Sequence, residues 1–474
     1  MSIDPFINAL RTSLEPSAIL TDPSLRARYE TDQRALMTGR SRAVLRPKTT
    51  EEVATITKIA HQLGVELVPQ GGNTGYCGGA TPDDSATQAI VSLERMTAVR
   101  SLDRIGSTIS VDAGITLQAV HDAAAREGLA FGLSLGSQGS CTIGGNLATN
   151  AGGISVLRYG MARELTLGLE VVLPDGTIFN DMLALRKNNT GYDIKQLFIG
   201  SEGSLGIITG AVLRLYPAVQ TYATAWVKLA PDAPLSEMIA IARRESADLI
   251  SSFEFISNRS LALAPASSVG ALSGGAGGAV LLELSSSSSK IPLEDVLTGV
   301  LERFIEEGWV DDALVANGGR QRDEMWRRRE HLPENEKSAG GSVKHDIATP
   351  LSSADNFRRE AIELVRRYDQ ALELSMYGHV GDGNIHFNVL VPKGLDRLSF
   401  SAKIENELSP ALFDLALKHG GTFSAEHGVG RFKRHLLNNY ADGQKLQLMN
   451  AVKRAVDPRF LMNNGSIIAA DRQI

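Results

Sequence analysis

Two of the chain's nine histidines, His379 and His386, share one short segment, SMYGHVGDGNIHFNVLV, residues 375–391. Two β-type runs there flank Asp382-Gly383, a dipeptide suited to a two-residue hairpin turn. That turn would pair Gly381 with Asn384 and Val380 with Ile385, and would set His379 opposite His386. Side chains directly opposed on one face lie about 5 Å apart at Cβ, close enough to share a metal ion. Alternation puts Asn388 on the face of His386. A lone histidine in a sheet ordinarily just satisfies hydrogen bonds, so it is the opposed pair that points to metal. Downstream, SAEHGVGRFKR (424–434) offers Glu426 beside His427, with Gly428 and Gly430 leaving room for something to approach the backbone. Two histidines and one carboxylate form a catalytic set that leaves positions for substrate oxygens.

A second kind of chemistry is written in glycines. PQGGNTGYCGG (69–79) carries five glycines directly after a predicted strand, so bare backbone amides can approach a diphosphate. One such loop alone reads as a connector. Two more follow, GSQGSCTIGGNLATNAGG (136–153) and LFIGSEGSLGIIT (197–209), and three in one region call for a ligand. No GxGxxG opens a helix after a first strand, which argues against a dinucleotide-binding Rossmann domain and NAD.

These loops resemble the FAD-binding domain of the vanillyl-alcohol oxidase type, over nearly all of residues 42–217. The resemblance implies that the cofactor lies extended between two α/β subdomains. Pro69, Gly71, Gly72, Asn73, Thr74 and Gly75 would then wrap the diphosphate, and Gly144, Gly145, Asn146 and Thr149 would line the other side. Ser137, Gly206, Ile207 and Ile208 are implied flavin contacts, and so is Asn463, although LMNNGSI departs from the family's usual Asn-Pro-Gly-Lys. Some members attach FAD through a histidine in the first loop. Asn73 stands there in this chain, so a non-covalent, dissociable FAD is expected, with Cys77 as a nearby thiol of the unreactive, small-loop kind.

GHVGDGNIH followed some forty residues later by EHGVG looks like the D-lactate, glycolate and D-2-hydroxyglutarate dehydrogenase branch of this flavin family. By that resemblance His379, His386 and Glu426 hold a divalent metal, zinc, and His427 is the base. The implied reaction is oxidation of a D-2-hydroxy acid to the 2-oxo acid. The metal polarises the hydroxyl, and an imidazole takes its proton as hydride leaves the adjacent carbon for the flavin.

Substrate carboxylates need fixed cations. In EMWRRREHLPENEKSAGGSVKHDIATP (324–350), spacing alone does not choose among Arg327, Arg328 and Arg329. The family pattern selects Arg329 after Trp326, and Lys344, two residues before Asp346, is similar to the 2-hydroxyglutarate group. Asn388 completes the implied substrate contacts. Two cations and a metal suit a dicarboxylate, so D-2-hydroxyglutarate is the leading substrate. Pro333 stands where the 2-hydroxyglutarate enzymes tend to have threonine, which keeps D-lactate, D-malate and glycolate open. A non-redox flavin transferase of the same fold is the competing class.

The elements that must position these residues give an α+β fold. A two-subdomain FAD-binding domain spans 1–217, an α/β substrate or cap domain 218–421, and a C-terminal helical segment, 422–474, returns to the active site. RAVLRP and VELVP read as strands around a helix capped by Thr49 or Thr50 and stopped by Gly64. TISVDAG leads to a helix capped by Thr116, and EVVLPDGTIFND reads as a hairpin turning at Asp175-Gly176. SSVGALSGGAGG (267–278) and SSSSSK (285–290) read as mobile loops.

A hydrophobic content of 43% supports substantial cores, and a net charge of −6 argues against a nucleic-acid protein. Only Cys77 and Cys141 occur, in no paired spacing, as suits a reducing compartment. The first thirty residues carry Asp4, Glu15 and Asp22, unlike a signal or transit peptide, and no apolar run approaches the about 18 residues of a membrane span. The expectation is a cytoplasmic protein with no transmembrane segment, passing electrons to a protein or quinone acceptor. The resemblance adds a homodimer.

Overall fold

The computed structural model describes residues 4–264 and 272–469. The chain forms two compact units: residues 1–152, 160–218 and 426–474 make the first, and residues 153–159 and 219–425 the second.

The first unit holds two sheets. In one, Ala43–Leu45, Ala89–Ser92 and Leu67–Gln70 run parallel, with Ile19–Leu20 added antiparallel at the edge. The helix Thr50–Leu63 forms the crossover. Thr49 caps it by accepting from Glu52 N–H, and Gly64 ends it at φ +69, where a left-handed residue lets the chain turn back into a strand. Its Val53, Ile56 and Ala60 are fully buried, the apolar stripe that fixes the helix to the unit. The second sheet is antiparallel and centres on Ile207–Pro217, which pairs with Thr108–Asp112 and Thr166–Val172. Thr116 caps the helix Leu117–Arg126, and Leu173 N–H donates to Thr177 O around Asp175 and Gly176.

The end of the chain closes onto the first sheet. Leu67 N–H donates to Leu461 O and Asn463 N–H to Leu67 O, a parallel bridge. Lys453, wholly buried on helix Gly443–Val456, secures that return by donating to Asp457 Oδ2 (2.6 Å), Ser204 O (2.7 Å) and Met462 O (2.9 Å). A buried ammonium is tolerated only when its charge and donors are met in this way.

The second unit is built on an eight-stranded antiparallel sheet in which Gly278–Ser286 pairs with both Thr221–Leu229 and Ile250–Ile256. Leu374–Gly378 and Asn384–Leu390 extend it, and helices such as Leu293–Glu306 and Leu351–Tyr368 cover it with apolar faces. The small-residue segments depart from expectation in part. Ser285 and Ser286 are buried strand residues, because the ladder with Thr221 and Tyr222 continues through them. Gly275 and Gly278 exchange backbone hydrogen bonds in a closed turn, with Trp226 Nε1 donating to Ser273 O at 2.9 Å. Residues 267–271 of that segment lie outside the described residues.

The histidine hairpin also departs from its expected register. His386 faces Tyr377, Phe387 faces Met376, and the turn is a 3-10 loop over Val380–Asp382 in place of a two-residue turn. A type I′ turn needs positive φ at both central residues, and here only Gly383 (φ +84) adopts it. His379 therefore caps the loop, its carbonyl accepting from Asp382 and Asn384 N–H. The slip is two residues, and because strand side chains alternate with period two, it leaves the faces of the paired strand residues unchanged. The His379 and His386 ring centroids are 5.8 Å apart.

Candidate active site

In the first unit the three glycine loops wall one cleft. Thirteen of the expected flavin residues line it: Pro69, Gly71 to Gly75, Gly144 to Asn146, Thr149 and Gly206 to Ile208. Their small size follows from the close approach of the loops. A Cβ on Gly72 would collide with Ser140 O, and one on Gly71 with Thr142 Oγ1. A Cβ on Gly75 would meet nothing within 4 Å, so its space opens into the cleft. Bare, closely spaced amides of this kind fit an extended diphosphate. Asn73 holds φ +52 while its Nδ2 donates to Thr31 O at 2.8 Å.

Ser137 and Asn463 are not among the residues that line the cleft. Ser137 O accepts from Ser140 and Cys141 N–H, shaping the second loop. Asn463, 1% exposed, donates from Nδ2 to Gly79 O and Glu202 O, both at 2.8 Å, tying two walls together.

His427 lines the same cleft, with the Tyr76 ring edge-on at 5.0 Å. Glu426 Oε1 lies 4.0 Å from its Nε2. The loop that follows is pinned by a residue the sequence reading missed. Glu202 accepts from Val429 N–H and Gly430 N–H, each at 2.7 Å, while Cys77 Sγ donates to Gly428 O. Burial pushes the Glu202 carboxyl above its ordinary range despite these donors. Its signal was a lone acid inside the glycine run GSEGS.

In the second unit His379 Nδ1 is hydrogen-bonded to Glu254 Oε1 at 2.6 Å, and Arg329 Nε donates to Glu254 Oε2 at 2.8 Å. Glu254 is 1% exposed on the strand Ile250–Ile256. Burial, the largest single influence, would raise its carboxyl, but the charges of His379 and Arg329 and their hydrogen bonds outweigh it and hold it at about 2. Arg329 lies over the Tyr377 ring, 5.1 Å from its centroid. Its helix, Gly319–Glu330, is anchored through Glu283, which accepts from Trp326 Nε1 at 2.8 Å and from both Nε and Nη2 of Arg322.

Asp346, also missed, pairs across the sheet with His386, its Oδ1 3.8 Å from the imidazole Nδ1. It accepts from Asn384 Nδ2 at 3.0 Å and from Ala425 N–H at 3.1 Å. The chain continues from Ala425 directly into Glu426.

Lys344 and Asn388 converge on a further acid, Glu336, which is 1% exposed. Lys344 Nζ and Ser342 Oγ each donate to its Oε2 at 3.0 Å, and Asn388 Nδ2 donates at 3.0 and 3.2 Å. Pro333 opens the helix Leu332–Ser338 that carries Glu336, its missing N–H costing nothing at a first-turn position.

Two family descriptions match the chain: "FAD binding domain" over residues 41–181 and "FAD linked oxidases, C-terminal domain" over residues 230–467. A mitochondrial D-2-hydroxyglutarate dehydrogenase of Bos taurus is 35% identical over 94% of this chain and 80% of its own length. A putative mitochondrial D-lactate dehydrogenase of Schizosaccharomyces pombe is 33% identical over 93% of this chain and 84% of its own. Among solved structures, p-cresol methylhydroxylase with substrate bound aligns at a TM-score of 0.76 and 17% identity, covering 99% of this chain and 97% of that one, a likeness of fold.

Proposed function

The chain belongs to the FAD-linked oxidases, and on that premise we propose that it oxidises a D-2-hydroxy acid, D-2-hydroxyglutarate first among them, to the 2-oxo acid. The observation that carries the reading is His427 on the wall of the glycine-lined cleft. An imidazole there can take the hydroxyl proton as the adjacent carbon gives up hydride. Bound FAD supplies the two-electron acceptor. Tyr76 and the Glu202-pinned loop hold the imidazole in place.

Arg329 and Lys344 are the cations assigned to substrate carboxylates, with Asn388 beside Lys344 on Glu336. His379, His386 and Glu426 are assigned to a divalent metal, zinc by the resemblance, which would lower the pKa of the hydroxyl. Two imidazoles and a carboxylate are donors of the kind such an ion takes. Glu254 engages His379 Nδ1 as carboxylates engage metal-bound histidines, which assigns Nε2 to coordination. The FAD is assigned as dissociable, and the electron acceptor as a protein or quinone. A cytoplasmic homodimer completes the proposal, and two buried cysteines not joined in a disulfide support a reducing compartment. Among the described residues no helix is long and apolar enough to cross a membrane.

The test is anaerobic addition of D-2-hydroxyglutarate, D-lactate, D-malate and glycolate to the purified yellow protein. Bleaching of the flavin absorbance by at least one is expected. A flavin that none of them reduces would end the proposal.

A further inference from the structure

We propose that Glu336 sets how strongly the enzyme favours D-2-hydroxy acids with a distal carboxylate over those without one. This rests on the reading above that Lys344 and Asn388 face the substrate. A lysine placed to receive a second carboxylate serves best when its charge is unopposed. Here Lys344 Nζ already contacts Glu336 Oε2 at 3.0 Å. That acid is buried and shared with Ser342 and Asn388, so it cannot swing away into solvent. A dianion approaching Lys344 is attracted by the ammonium and repelled by the carboxylate at similar range.

Asn388 adds a second pressure in the same direction. Its Nδ2 is committed to both oxygens of Glu336, which fixes the amide orientation. Its Oδ1 is buried and has no hydrogen-bond partner among the described residues. An orphaned acceptor welcomes a hydroxyl or amide donor and disfavours a carboxylate. A substrate lacking the distal carboxylate carries no charge for this pair of groups to discriminate.

Glu336→Gln removes the charge and keeps an oxygen for Lys344. The expected result is a rise on the order of tenfold in the ratio of kcat/KM for D-2-hydroxyglutarate to that for D-lactate, carried by KM of the dicarboxylate. An unchanged or lower ratio overturns the proposal. A second measurement needs no variant: 2-oxoglutarate and its neutral distal amide are titrated into wild-type enzyme and followed by the flavin absorbance. Affinities within a few-fold of one another are expected, whereas a dicarboxylate bound far more tightly overturns the role of Glu336. Lys344→Met separates the two layers of the argument. If it weakens D-2-hydroxyglutarate and D-lactate equally, Lys344 is outside the distal subsite, and the substrate reading fails together with this one. If it weakens only the dicarboxylate, the outcome of Glu336→Gln speaks to Glu336 alone.

Discussion

His379 and Glu254 share a 2.6 Å hydrogen bond, and the same carboxylate holds Arg329 at 2.8 Å, so a residue assigned to the metal and one assigned to the substrate hang from a single buried acid. Outer-shell carboxylates fix the tautomer and orientation of ligating imidazoles. Glu254→Gln is expected to weaken metal affinity about 10- to 100-fold, read by chelator competition, and to raise substrate KM as Arg329 loses its brace. It also strands a buried arginine, so unfolding free energy should fall by about 3 to 5 kcal/mol. Unchanged metal affinity in the variant removes His379 from the ligand set.

Glu426 and His427 should separate by role. Glu426→Gln is expected to lose metal together with activity, and EDTA on wild type should reproduce that loss. His427→Ala should keep metal and flavin while turnover drops on the order of 10² to 10⁴. Metal analysis beside anaerobic flavin-reduction rates decides the matter, and retention of metal by the first variant with loss by the second reverses the assignment.

Gly72 and Gly75 belong to the same loop but should fail differently. A side chain on Gly72 runs into Ser140 O, so Gly72→Ala is expected to lower the melting temperature even of flavin-free protein. Gly75→Ala has open space in the protein and should leave the flavin-free melt unchanged, yet weaken FAD binding at least tenfold, because that space faces the cleft. Normal FAD titration of Gly75→Ala would move the diphosphate elsewhere.

Glu170 predicts the acid limb of stability. It accepts from Thr50 Oγ1 at 2.7 Å and from Arg100 Nη2 and Thr209 Oγ1, each at 2.9 Å. Burial, the largest single influence, raises its carboxyl, but the three donors together lower it below the ordinary 4.5. With the folded value beneath the unfolded one, the ionised group contributes fully above about pH 4.5, and the contribution is lost as pH falls through the folded value. Glu170→Gln should flatten urea-unfolding free energy between pH 5 and pH 3. An unaltered acid slope would place the effect on other carboxylates.

What the sequence made legible was local. The glycine loops announce themselves because close backbone approach demands glycine at contiguous positions, and Thr49, Thr116 and Gly64 cap their helices through neighbours a few residues away. The acids that organise the second unit were silent for the opposite reason. Glu254 meets Arg329 across 75 residues and His379 across 125, so a single acid in SSFEFIS carries no spacing to read. Asp346 served the sequence reading only as a landmark for Lys344, and Glu336 is one of several acids in a charged segment whose spacing singles out none. The hairpin shows the intermediate case. Its strands and facing were readable from alternation, whereas the 3-10 turn depends on φ at Asp382, which sequence does not fix.

The clasp between Leu67 and the chain's last described residues has a consequence for biosynthesis. Asn463 reaches Gly79 across 384 residues, and Lys453 must be in place for that return. A ribosome making some five to twenty residues per second exposes the glycine loops many seconds before their closing segment exists. The nascent first unit therefore waits, incomplete, while the entire second unit is synthesised and can fold as an insertion. The loop-closure entropy of joining such distant segments falls on the final stage of maturation.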